Sequence, residues 1–467
     1  MPPAAPRGIA VADIGATNMK VVLYGPRGEP VAERRAVARH VEGPPYRHID
    51  PAPMVELLRH ALPELDAILP VDAVVPSAHG AALACLAADG SLALPVMDYT
   101  AEPPTGIVDR YRAIMPNFAE TYCGLLPMAL THGLQLYWQA QVWPEDFAKV
   151  QTVIPWIQYV GYRLCGHAVT EIASMSCQTH LVDVANGGLS TLVKGMGWAP
   201  LFPPLVPAWQ TIGSLLPEFR GEAFRGEGRV LAGIHDSSAN FARYQSAGLG
   251  DFTLLSTGTW IIAFDTSTPV SALHEDYDTS TNTSIFGATV ACARFFGGKE
   301  FELLAGPAAE VQPSFSTVRE LVANDVLALP SFTGSAGPMP GTEHRGRVVG
   351  ELPSGGAARV SLASLYCALM VAEQLDAVSS RHDIIVDGPF SQNAVFLGVL
   401  AALRPSQRLF ASELRDGTAA GAACLAMMTD GRLPRIALKL AAVKPTAVPG
   451  LSRYRQHWKE SAHANRC

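Results

Sequence analysis

The stretch DIGATNMK at residues 13–20 decides the fold of the first half of the chain. Apolar runs at 8–13 and 19–24 flank it, which predicts two short strands joined by a tight turn. Gly15 lets the backbone turn sharply and approach a ligand closely, because glycine has no Cβ. Backbone N–H groups and short polar side chains in such a turn bind phosphate oxygens. The polar side chains of this turn are those of Thr17, Asn18 and Lys20. An ordinary hairpin is the alternative interpretation of the same residues.

A second turn of the same kind, STGTW at residues 256–260, follows about half a chain later. A strand that begins near residue 251 leads into it, and 260–264 returns as the partner strand. Thr257, Gly258 and Thr259 are suited to hold the β- and γ-phosphates, whereas we expect Trp260 to pack in the core. Taken alone, this turn is equally well explained as a β-turn. Both turns together, each between matched strands, favour one nucleotide held from two sides.

The segment LAGIHDSSAN at 231–240 supplies a carboxylate, Asp236, beside His235. An aspartate here can accept the proton of a hydroxyl that attacks a phosphoryl group. The alternative is a helix N-cap formed by Asp236 or Ser237, and the two roles are compatible. Asp13, at the end of the first strand, is suited to hold Mg²⁺ through water molecules.

A third turn, DGPFSQN at 387–393, follows a predicted strand. Nucleotides bind at the carboxyl ends of strands in open α/β sheets. Gly388 permits a close approach of the backbone, and we expect Ser391, Gln392 or Asn393 to contact adenosine. A plain loop between strand and helix, with Ser391 as the N-cap, explains the turn equally well.

Polar groups embedded in apolar sequence are candidates for binding a second substrate. Sugars bind to buried hydrogen-bonding groups that lie beside an aromatic face. Taken singly, each such residue is better explained as a satisfied polar residue of the core. The candidates are His79, Gly80, Asp98, Tyr99, Gln158, Gln178 and His235.

With 467 residues the chain is too long for one hydrophobic core and suits two domains. Its net charge of −7, without a basic stripe, argues against nucleic-acid binding. The eight cysteines show no metal-binding spacing, so we expect mostly buried free thiols and a cytoplasmic location. MPPAAPRG at the start lacks the apolar core of a signal peptide. The longest membrane-like stretch, 419–428, falls short of the roughly 20 residues of a bilayer span, so we expect no membrane association.

Strand and helix patterns alternate in both halves, which predicts an α/β fold. We expect the domain boundary near 245–250. The other expected strands are 30–37, 71–75, 383–386 and 408–411. The expected helices are 117–142, 155–165, 188–196, 362–379 as a strongly amphipathic helix, 394–403, and 417–428 as a closely packing small-residue helix. The Gly- and Pro-rich stretch 331–356 is expected to be a long surface excursion. No GxxxxGK[ST], GxGxxG, GxSxG or HExxH motif is present, which disfavours P-loop, Rossmann, α/β-hydrolase and zinc-protease chemistry.

Together the segments above resemble the motifs of the FGGY family of carbohydrate kinases, within the actin-like, sugar kinase and Hsp70 ATPase superfamily. DIGATNMK and STGTW resemble its two phosphate motifs, and GIHDSSAN resembles its catalytic-aspartate segment. DGPFSQN with GTAAGAACLA resembles the adenosine motif, and the stretch 153–183 resembles the lining of the sugar pocket. The order and spacing of the five segments make the resemblance specific, and it spans almost the whole chain.

The resemblance implies two ribonuclease-H-like domains, 1–247 and 248–467, with a cleft between them, and it implies ATP, Mg²⁺ and a sugar as ligands. It implies Asp236 as the general base, Asp13 facing Mg²⁺, and Gly388 and Asn393 beside adenosine. Thr17, Asn18 and Lys20 would meet phosphate on one side, and Thr257, Gly258 and Thr259 on the other. His79, followed by Gly80, falls where many members carry a glutamine that contacts the sugar. A homodimer is implied by the resemblance alone.

Two departures from the family pattern affect specificity. Pro389 replaces a glycine that is common in the adenosine turn. After Leu94-Pro95 many members carry an aromatic residue followed by Asp and Arg, whereas this chain has Val-Met-Asp-Tyr-Thr at 96–100. The chain looks nearest to the fuculose and rhamnulose kinase branch, so L-fuculose, L-rhamnulose or a xylulose-like ketose is the expected acceptor. The alternative is a nucleotide-gated binding or regulatory protein of the same superfamily.

Overall fold

A computed structural model describes residues 7–413 and 417–466. The chain forms two compact units, and each combines separated stretches of sequence. The first unit extends to Gly248 and takes in Thr281–Thr289 and the stretch that ends at Ile436. The second comprises Leu249–Ser280, the stretch that begins at Val290, and the stretch that begins at Ala437. The contiguous domains 1–247 and 248–467 stay a prediction.

Strands in the described residues, in chain order, are β1 Gly8–Ile14, β2 Asn18–Tyr24, β3 Pro30–Val37, β4 Arg39–Val41, β5 His48–Asp50, β6 Val71–Ala78, β7 Leu83–Leu86, β8 Leu92–Leu94, β9 Val96–Met97, β10 Thr152–Pro155, β11 Thr170–Glu171, β12 Leu205–Val206, β13 Thr211–Ser214, β14 Arg229–Leu231, β15 Ile234–His235, β16 Phe252–Thr257, β17 Ile261–Asp265, β18 Thr279–Thr283, β19 Thr289–Phe295, β20 Leu327–Leu329, β21 Arg347–Val349, β22 Asp383–Asp387, β23 Leu409–Ser412 and β24 Leu440–Val443.

Helices in the described residues are α1 Ala52–Ile68, α2 Thr105–Arg112, α3 Phe118–Thr121, α4 His132–Val142, α5 Pro144–Phe147, α6 Trp156–Cys165, α7 Ile172–Ser176, α8 Thr191–Gly195, α9 Pro217–Arg220, α10 Asp236–Ser246, α11 Gly297–Ala305, α12 Phe315–Ala323, α13 Gly356–Ala377, α14 Ala394–Leu403, α15 Gly417–Ala426 and α16 Leu451–Ala464.

The main sheet of the first unit has the strand order β13-β14-β6-β1-β2-β3, and β15 also pairs with β6. Strands β1 and β2 form the predicted hairpin, whereas β6 runs parallel to β1, β14 and β15. Successive side chains of a strand point to opposite faces, so a strand that is apolar throughout must be covered on both. In β1, Ala10 and Ala12 pack in one core cluster with α1 and α6, while Ile9 and Val11 pack in the other with α10 and α15.

Helix α15 lies late in the sequence but packs within the first unit against α10. Its residues are mostly alanine and glycine, which allows two helices to approach closely. A Cβ on Gly421 would lie 1.9 Å from the carbonyl oxygen of Ala239 on α10. This contact confirms the prediction of a small-residue helix that packs very closely.

The second unit repeats the sheet pattern of the first. Its strands run in the order β19-β17-β16-β22-β23-β24. As with β1, β2 and β6, β16 forms an antiparallel hairpin with β17 and a parallel pair with β22. Each unit therefore has a hairpin whose first strand pairs with a parallel neighbour, which is the α/β architecture that the sequence predicted.

Three expectations about the second half were wrong. The stretch 331–356 is not a surface excursion throughout, because Ser331, Thr333 and Thr342 are buried. It folds over the buried carboxylate of Glu300, which accepts hydrogen bonds from the backbone N–H groups of Phe332 and Thr333. Burial raises the pKa of Glu300, although these hydrogen bonds oppose the shift.

The predicted amphipathic helix at 362–379 is also different in the structure. Helix α13 begins earlier, at Gly356, and is buried on nearly all sides, including the polar side chains of Ser361, Ser364 and Gln374. Among the described helices it is the one with the length and composition to span a membrane, and 78% of its apolar window is buried inside the protein. The expectation that 419–428 is the longest such stretch was therefore wrong.

The described cysteines are all buried, as predicted for most of the thiols. Cys467 lies outside the described residues.

Candidate active site

Three parallel strand ends of the first unit bring the main predicted site residues to one edge of the sheet. Asp13 on β1 is opposite Ser77 on β6, and Ser77 is opposite Ile234 on β15. The backbone N–H of His79, just after β6, donates to the carbonyl of Ile14 at 3.2 Å. Asp236 directly follows β15. The first turn, His79 and Asp236 therefore leave the sheet side by side.

The first turn is a tight connection between β1 and β2. The N–H of Gly15 donates to the carbonyl of Asn18 at 3.1 Å, and a Cβ on Gly15 would lie 2.7 Å from that carbonyl oxygen. Thr17 and Asn18 are exposed at the tip. Asp13 and Lys20 are register partners, and their charged groups lie 3.3 Å apart. The turn thus presents short polar groups to solvent above an ion pair.

Asp236 is the first residue of α10. Its Oδ1 accepts hydrogen bonds from the N–H and hydroxyl of Ser237, at 2.5 and 3.1 Å. The N-cap is His235, so the alternative in which Asp236 or Ser237 caps the helix was wrong. A carboxylate in the first turn is stabilised by the positive end of the helix dipole. The side chain is about one-third exposed, and its Oδ2 makes no hydrogen bond to any described residue.

Three histidines lie in this part of the first unit, of which His132 and His235 are buried and His79 is half-buried. The Nε2 of His235 lies 3.3 Å from Asp236 Oδ1, and its Nδ1 has no hydrogen-bond partner among the described residues. The Nδ1 of His79 donates to the carbonyl of Gly80 at 2.8 Å. Burial lowers the pKa of His235 and His79, against the attraction of Asp236, and lowers that of His132 to about 4. Near pH 7 the three rings are therefore neutral donors and acceptors.

Gly80 gives His235 its position. A Cβ at Gly80 would lie 2.6 Å from the Nε2 of His235. Gly80, predicted as a candidate substrate-binding residue, therefore lies against a side chain of the same site.

Tyr99 provides an aromatic face in the same neighbourhood. Its ring lies 5.9 Å from the ring of His79 in an edge-to-face arrangement. Burial raises the pKa of Tyr99 to about 12, and the charges of Asp98 and Asp236 add to the shift. Its hydroxyl is consequently a neutral donor.

Asp98 is held in a network of its own. Its Oδ1 accepts hydrogen bonds from the N–H and hydroxyl of Thr100, both at 2.8 Å. Its Oδ2 lies 3.1 Å from the Nε of Arg47 and 2.6 Å from the Nδ1 of His40. Burial by itself would raise the pKa of Asp98, but the hydrogen bonds from Thr100 and the neighbouring His40 and Arg47 side chains hold it below its usual value. Both oxygens are thus already engaged.

Gln158 and Gln178 act on the backbone of the site. The side-chain amide of Gln158 donates to the carbonyls of Ala232 and Gly233, at 3.2 and 3.4 Å, just before His235. The carbonyl of Gln178, a residue with φ of +62°, accepts from the Nδ1 of His132 at 3.4 Å. Both glutamines therefore position other residues of the site.

Asp13 is the residue that fits a magnesium ion. The described residues contain no group of three or more His, Cys, Asp and Glu side chains arranged to hold a metal. Mg²⁺ in nucleotide sites takes only one or two protein carboxylates and completes its shell with phosphate oxygens and water. The single carboxylate of Asp13, at the end of β1 and 3.3 Å from the Nζ of Lys20, is compatible with that requirement.

In the second unit, the second and third turns lie side by side. Ser256 on β16 is opposite Asp387 on β22, so both turns leave the sheet at the carboxyl ends of neighbouring parallel strands. The hydroxyl of Thr257 donates to the carbonyl of Asp387 at 2.5 Å and accepts from the N–H of Phe390 at 3.1 Å. Gly388 has φ of +87°, and a Cβ there would lie 1.9 Å from the carbonyl oxygen of Thr257.

The other predicted nucleotide residues have different surroundings. The nearest atom to a Cβ at Gly258 would be the carbonyl oxygen of Trp260, at 4.0 Å, so a side chain fits there without a clash, and Thr259 is exposed. Asn393 caps α14 by accepting from the N–H of Phe396 at 2.9 Å, and its amide donates to Ser364. Asn393, not Ser391, is thus the N-cap of this helix. Trp260 is half-buried and stacks on Phe296 at 4.2 Å.

The sequence did not point to His132, His40 or Arg47. His132 opens α4, and His40 and Arg47 come from the short strand region before α1. No local pattern marks these residues, because the contacts that bring them to the site, from His132 to Gln178 and from Arg47 and His40 to Asp98, span 46 to 58 positions in the sequence.

Comparison with known proteins identifies the family. The profile of the C-terminal domain of FGGY carbohydrate kinases matches residues 249–434. A carbohydrate kinase from Novosphingobium aromaticivorans is 32% identical, with a TM-score of 0.84, over 98% of this chain and 99% of that one. No curated protein sequence matches the chain significantly.

More distant solved structures show the same fold. Xylulose kinase from Rhodospirillum rubrum is 18% identical with a TM-score of 0.77. Glycerol kinase from Plasmodium falciparum, solved with ADP, is 13% identical with a TM-score of 0.78. Each superposition covers 98% of both chains. The chain therefore belongs to the FGGY family of carbohydrate kinases, sugar kinases with two α/β domains of the actin-like ATPase fold.

Proposed function

We propose that this protein transfers the γ-phosphoryl group of ATP to a hydroxyl of a ketose or related polyol, with Asp236 as the general base. L-Fuculose, L-rhamnulose and a xylulose-like ketose are the proposed acceptors. The observation that carries the proposal is the position of Asp236. Its carboxylate opens a helix beside His235, at the same sheet edge as Asp13 and His79.

In the proposed reaction, the acceptor hydroxyl gives its proton to Oδ2 of Asp236. The hydroxyl oxygen bonds to the γ-phosphorus as the bond between that phosphorus and the β–γ bridging oxygen breaks, and ADP leaves. The other oxygen, Oδ1, is held by Ser237 and His235, which fixes the direction of the carboxylate. In this role the carboxylate acts in its ionised form, which is the form that can accept a proton.

Neutral groups support an uncharged sugar as the acceptor. His79 and His132 each donate through Nδ1 to a backbone carbonyl, so a neutral ring presents Nε2 as an acceptor. The hydroxyl of Tyr99 is a donor, and the unpartnered Nδ1 of His235 is a further acceptor. Sugar hydroxyls both donate and accept, so they match such a mixed set. We propose Gly80, Asp98, Gln158 and Gln178 as supporting residues of this sugar site.

ATP is the proposed phosphoryl donor. Its proposed phosphate contacts come from both units. They are Gly15, Thr17, Asn18 and Lys20 in the first unit and Thr257, Gly258 and Thr259 in the second. Since the hydroxyl of Thr257 already bonds to the third turn, its backbone is the group left for phosphate. Gly388 and Asn393 are proposed to lie beside adenosine. Asp13 would hold Mg²⁺, which would offset negative charge on the phosphates.

The alternative is a nucleotide-gated binding or regulatory protein of the same superfamily, which would hydrolyse ATP without transferring phosphate to sugar. Neither the comparisons nor the site geometry favours it. We further propose a cytoplasmic location and leave a homodimer as an expectation of the resemblance.

A coupled assay of ADP formation, run with a panel of ketoses, aldoses and polyols, tests the proposal. We expect one ketose, from the group of L-fuculose, L-rhamnulose and D-xylulose, to stimulate ADP formation and to appear as a sugar phosphate by mass spectrometry. Slow ADP formation that no sugar changes would contradict the kinase and support the alternative.

A further inference from the structure

His40 lies in a small sheet that gathers separate parts of the first unit. Strand β4, which carries His40, pairs with β5, and β5 pairs with β9. His40 is opposite Ile49, and Ile49 is opposite Val96. Asp98 follows β9 directly, so the sheet brings it next to His40. The side chain of His40 is about one-fifth exposed.

The imidazole ring of His40 contacts two groups at once. Its Nε2 lies 2.6 Å from the carbonyl oxygen of Ala16, at the tip of the phosphate turn. Its Nδ1 lies 2.6 Å from Oδ2 of Asp98. The Nε2 contact is a hydrogen bond donated to the carbonyl of Ala16, whereas the Nδ1 contact with Asp98 is a close approach without hydrogen-bond geometry. The Nε of Arg47 lies 3.1 Å from the same carboxylate oxygen.

Each end of this bridge belongs to a different part of the site. On one side, the turn is anchored at Ala16 by His40 and at Thr17, whose carbonyl accepts from the N–H of Ala38 at 2.9 Å. On the other side, Asp98 directly precedes Tyr99, whose ring lies against His79. A displacement of either segment therefore breaks a contact with the same imidazole.

We propose that His40 is a positioning residue that makes the binding of ATP and the binding of sugar mutually favourable. A sugar that orders Tyr99 fixes Asp98 and, through His40, the carbonyl of Ala16 in the phosphate turn. ATP then binds to a turn that is already ordered and loses less conformational entropy. By reciprocity, ATP strengthens sugar binding by the same factor. This inference rests on the proposed function.

The test compares the KM for ATP at low and saturating concentrations of the sugar that the panel identifies. In the wild-type protein we expect saturating sugar to lower the KM for ATP about fivefold or more. His40→Phe makes neither contact, and His40→Gln cannot hold both partners in the geometry of a rigid ring. Both variants should lose the sugar effect. His48→Gln is the matched control, because His48 lies on the adjacent strand and its side chain, among the described residues, hydrogen-bonds only to the carbonyl of Tyr46, at 2.8 Å.

Several results would overturn the inference. One is that sugar does not change the KM for ATP in the wild-type protein. Another is that both His40 variants keep the full effect of sugar on that KM. The third is that His48→Gln loses this sugar effect as completely as the His40 variants do. Thermal unfolding of each variant shows whether it is folded. If His40→Phe does not fold, the KM measurements on His40→Gln alone test the inference. A protein that phosphorylates no sugar of the panel contradicts the proposed function instead. In that case, the protein is titrated with the ATP analogue AMP-PNP in the presence of Mg²⁺, which still tests the contact of His40 with the phosphate turn. An unchanged AMP-PNP affinity in both His40 variants would overturn the role of His40 in positioning that turn.

Discussion

Replacement of Gly421 by alanine tests the packing that supports Asp236. Gly421 lies in the middle of α15, and a Cβ there would lie 1.9 Å from the carbonyl oxygen of Ala239 and 3.3 Å from the Cβ of Arg243. An ordinary carbon–oxygen contact is about 3.3 Å, so α15 and α10 must separate by roughly 1 Å or more. Such overpacking typically costs about 1–3 kcal/mol of unfolding free energy.

A second glycine in a helix provides the control. At Gly106 in α2 the nearest atom to a new Cβ is the Nη1 of Arg110, at 3.8 Å, so alanine fits without a clash. Alanine favours a helix over glycine by about 1 kcal/mol at an interior position such as Gly421, and by less at Gly106, the second residue of α2, so this gain offsets only part of the clash at Gly421. We therefore expect Gly421→Ala to be less stable than Gly106→Ala by about 1–3 kcal/mol.

Urea unfolding followed by circular dichroism measures this difference, and thermal melting checks its sign. Because α10 begins with Asp236, we also expect Gly421→Ala to lower kcat for sugar phosphorylation at temperatures where the variant is folded. Equal stability of the two variants would refute the close contact between α10 and α15. A loss of stability without any loss of kcat would show that the contact does not position Asp236.

Two further predictions concern Gly388 and Glu171. Gly388→Ala should weaken AMP-PNP binding, measured by calorimetry, much more than Gly187→Ala. Both glycines have positive φ, but a Cβ at Gly388 would clash with the carbonyl of Thr257, whereas a Cβ at Gly187 would meet no atom within 4 Å. Equal losses of AMP-PNP affinity in the two variants would contradict the prediction. Glu171 is fully buried, and burial raises its pKa to about 7 despite its hydrogen bonds at the start of α7. A raised pKa means that the folded state binds the proton more tightly, so this stabilisation is complete below about pH 4.5 and is lost as pH rises to about 7. Glu171→Gln should flatten the decline in unfolding free energy over that range, and an unchanged pH profile would contradict the assignment.

Sequence patterns predicted the elements that depend on local information. Apolar runs, glycine and short polar side chains predicted the two turns with their flanking strands. The helix predicted at 394–403 is α14, and both its ends agree with the prediction. The joint position of Asp13, His79 and Asp236 also follows, since parallel strands end at one edge.

Long-range packing could not be predicted in the same way. Nothing near α15 shows that it returns to the first unit, and the polar, Gly-rich stretch after residue 331 is buried because a distant carboxylate, that of Glu300, binds its backbone. Likewise, Asp98 resembles a substrate ligand in sequence. Its engagement by Arg47 and His40 becomes visible only when the strands before α1 are placed beside β9.

The role of Asp236 is tested most directly by comparing Asp236→Asn with Asp109→Asn, which changes an exposed aspartate of α2. Sugar-dependent ADP formation and AMP-PNP affinity are measured for both. We expect Asp236→Asn to lower sugar phosphorylation by about 10³-fold while AMP-PNP affinity stays within about twofold, since a general base contributes about 10²–10⁴-fold. Asp109→Asn should match the wild-type protein. Full turnover in Asp236→Asn would contradict the assignment of the base.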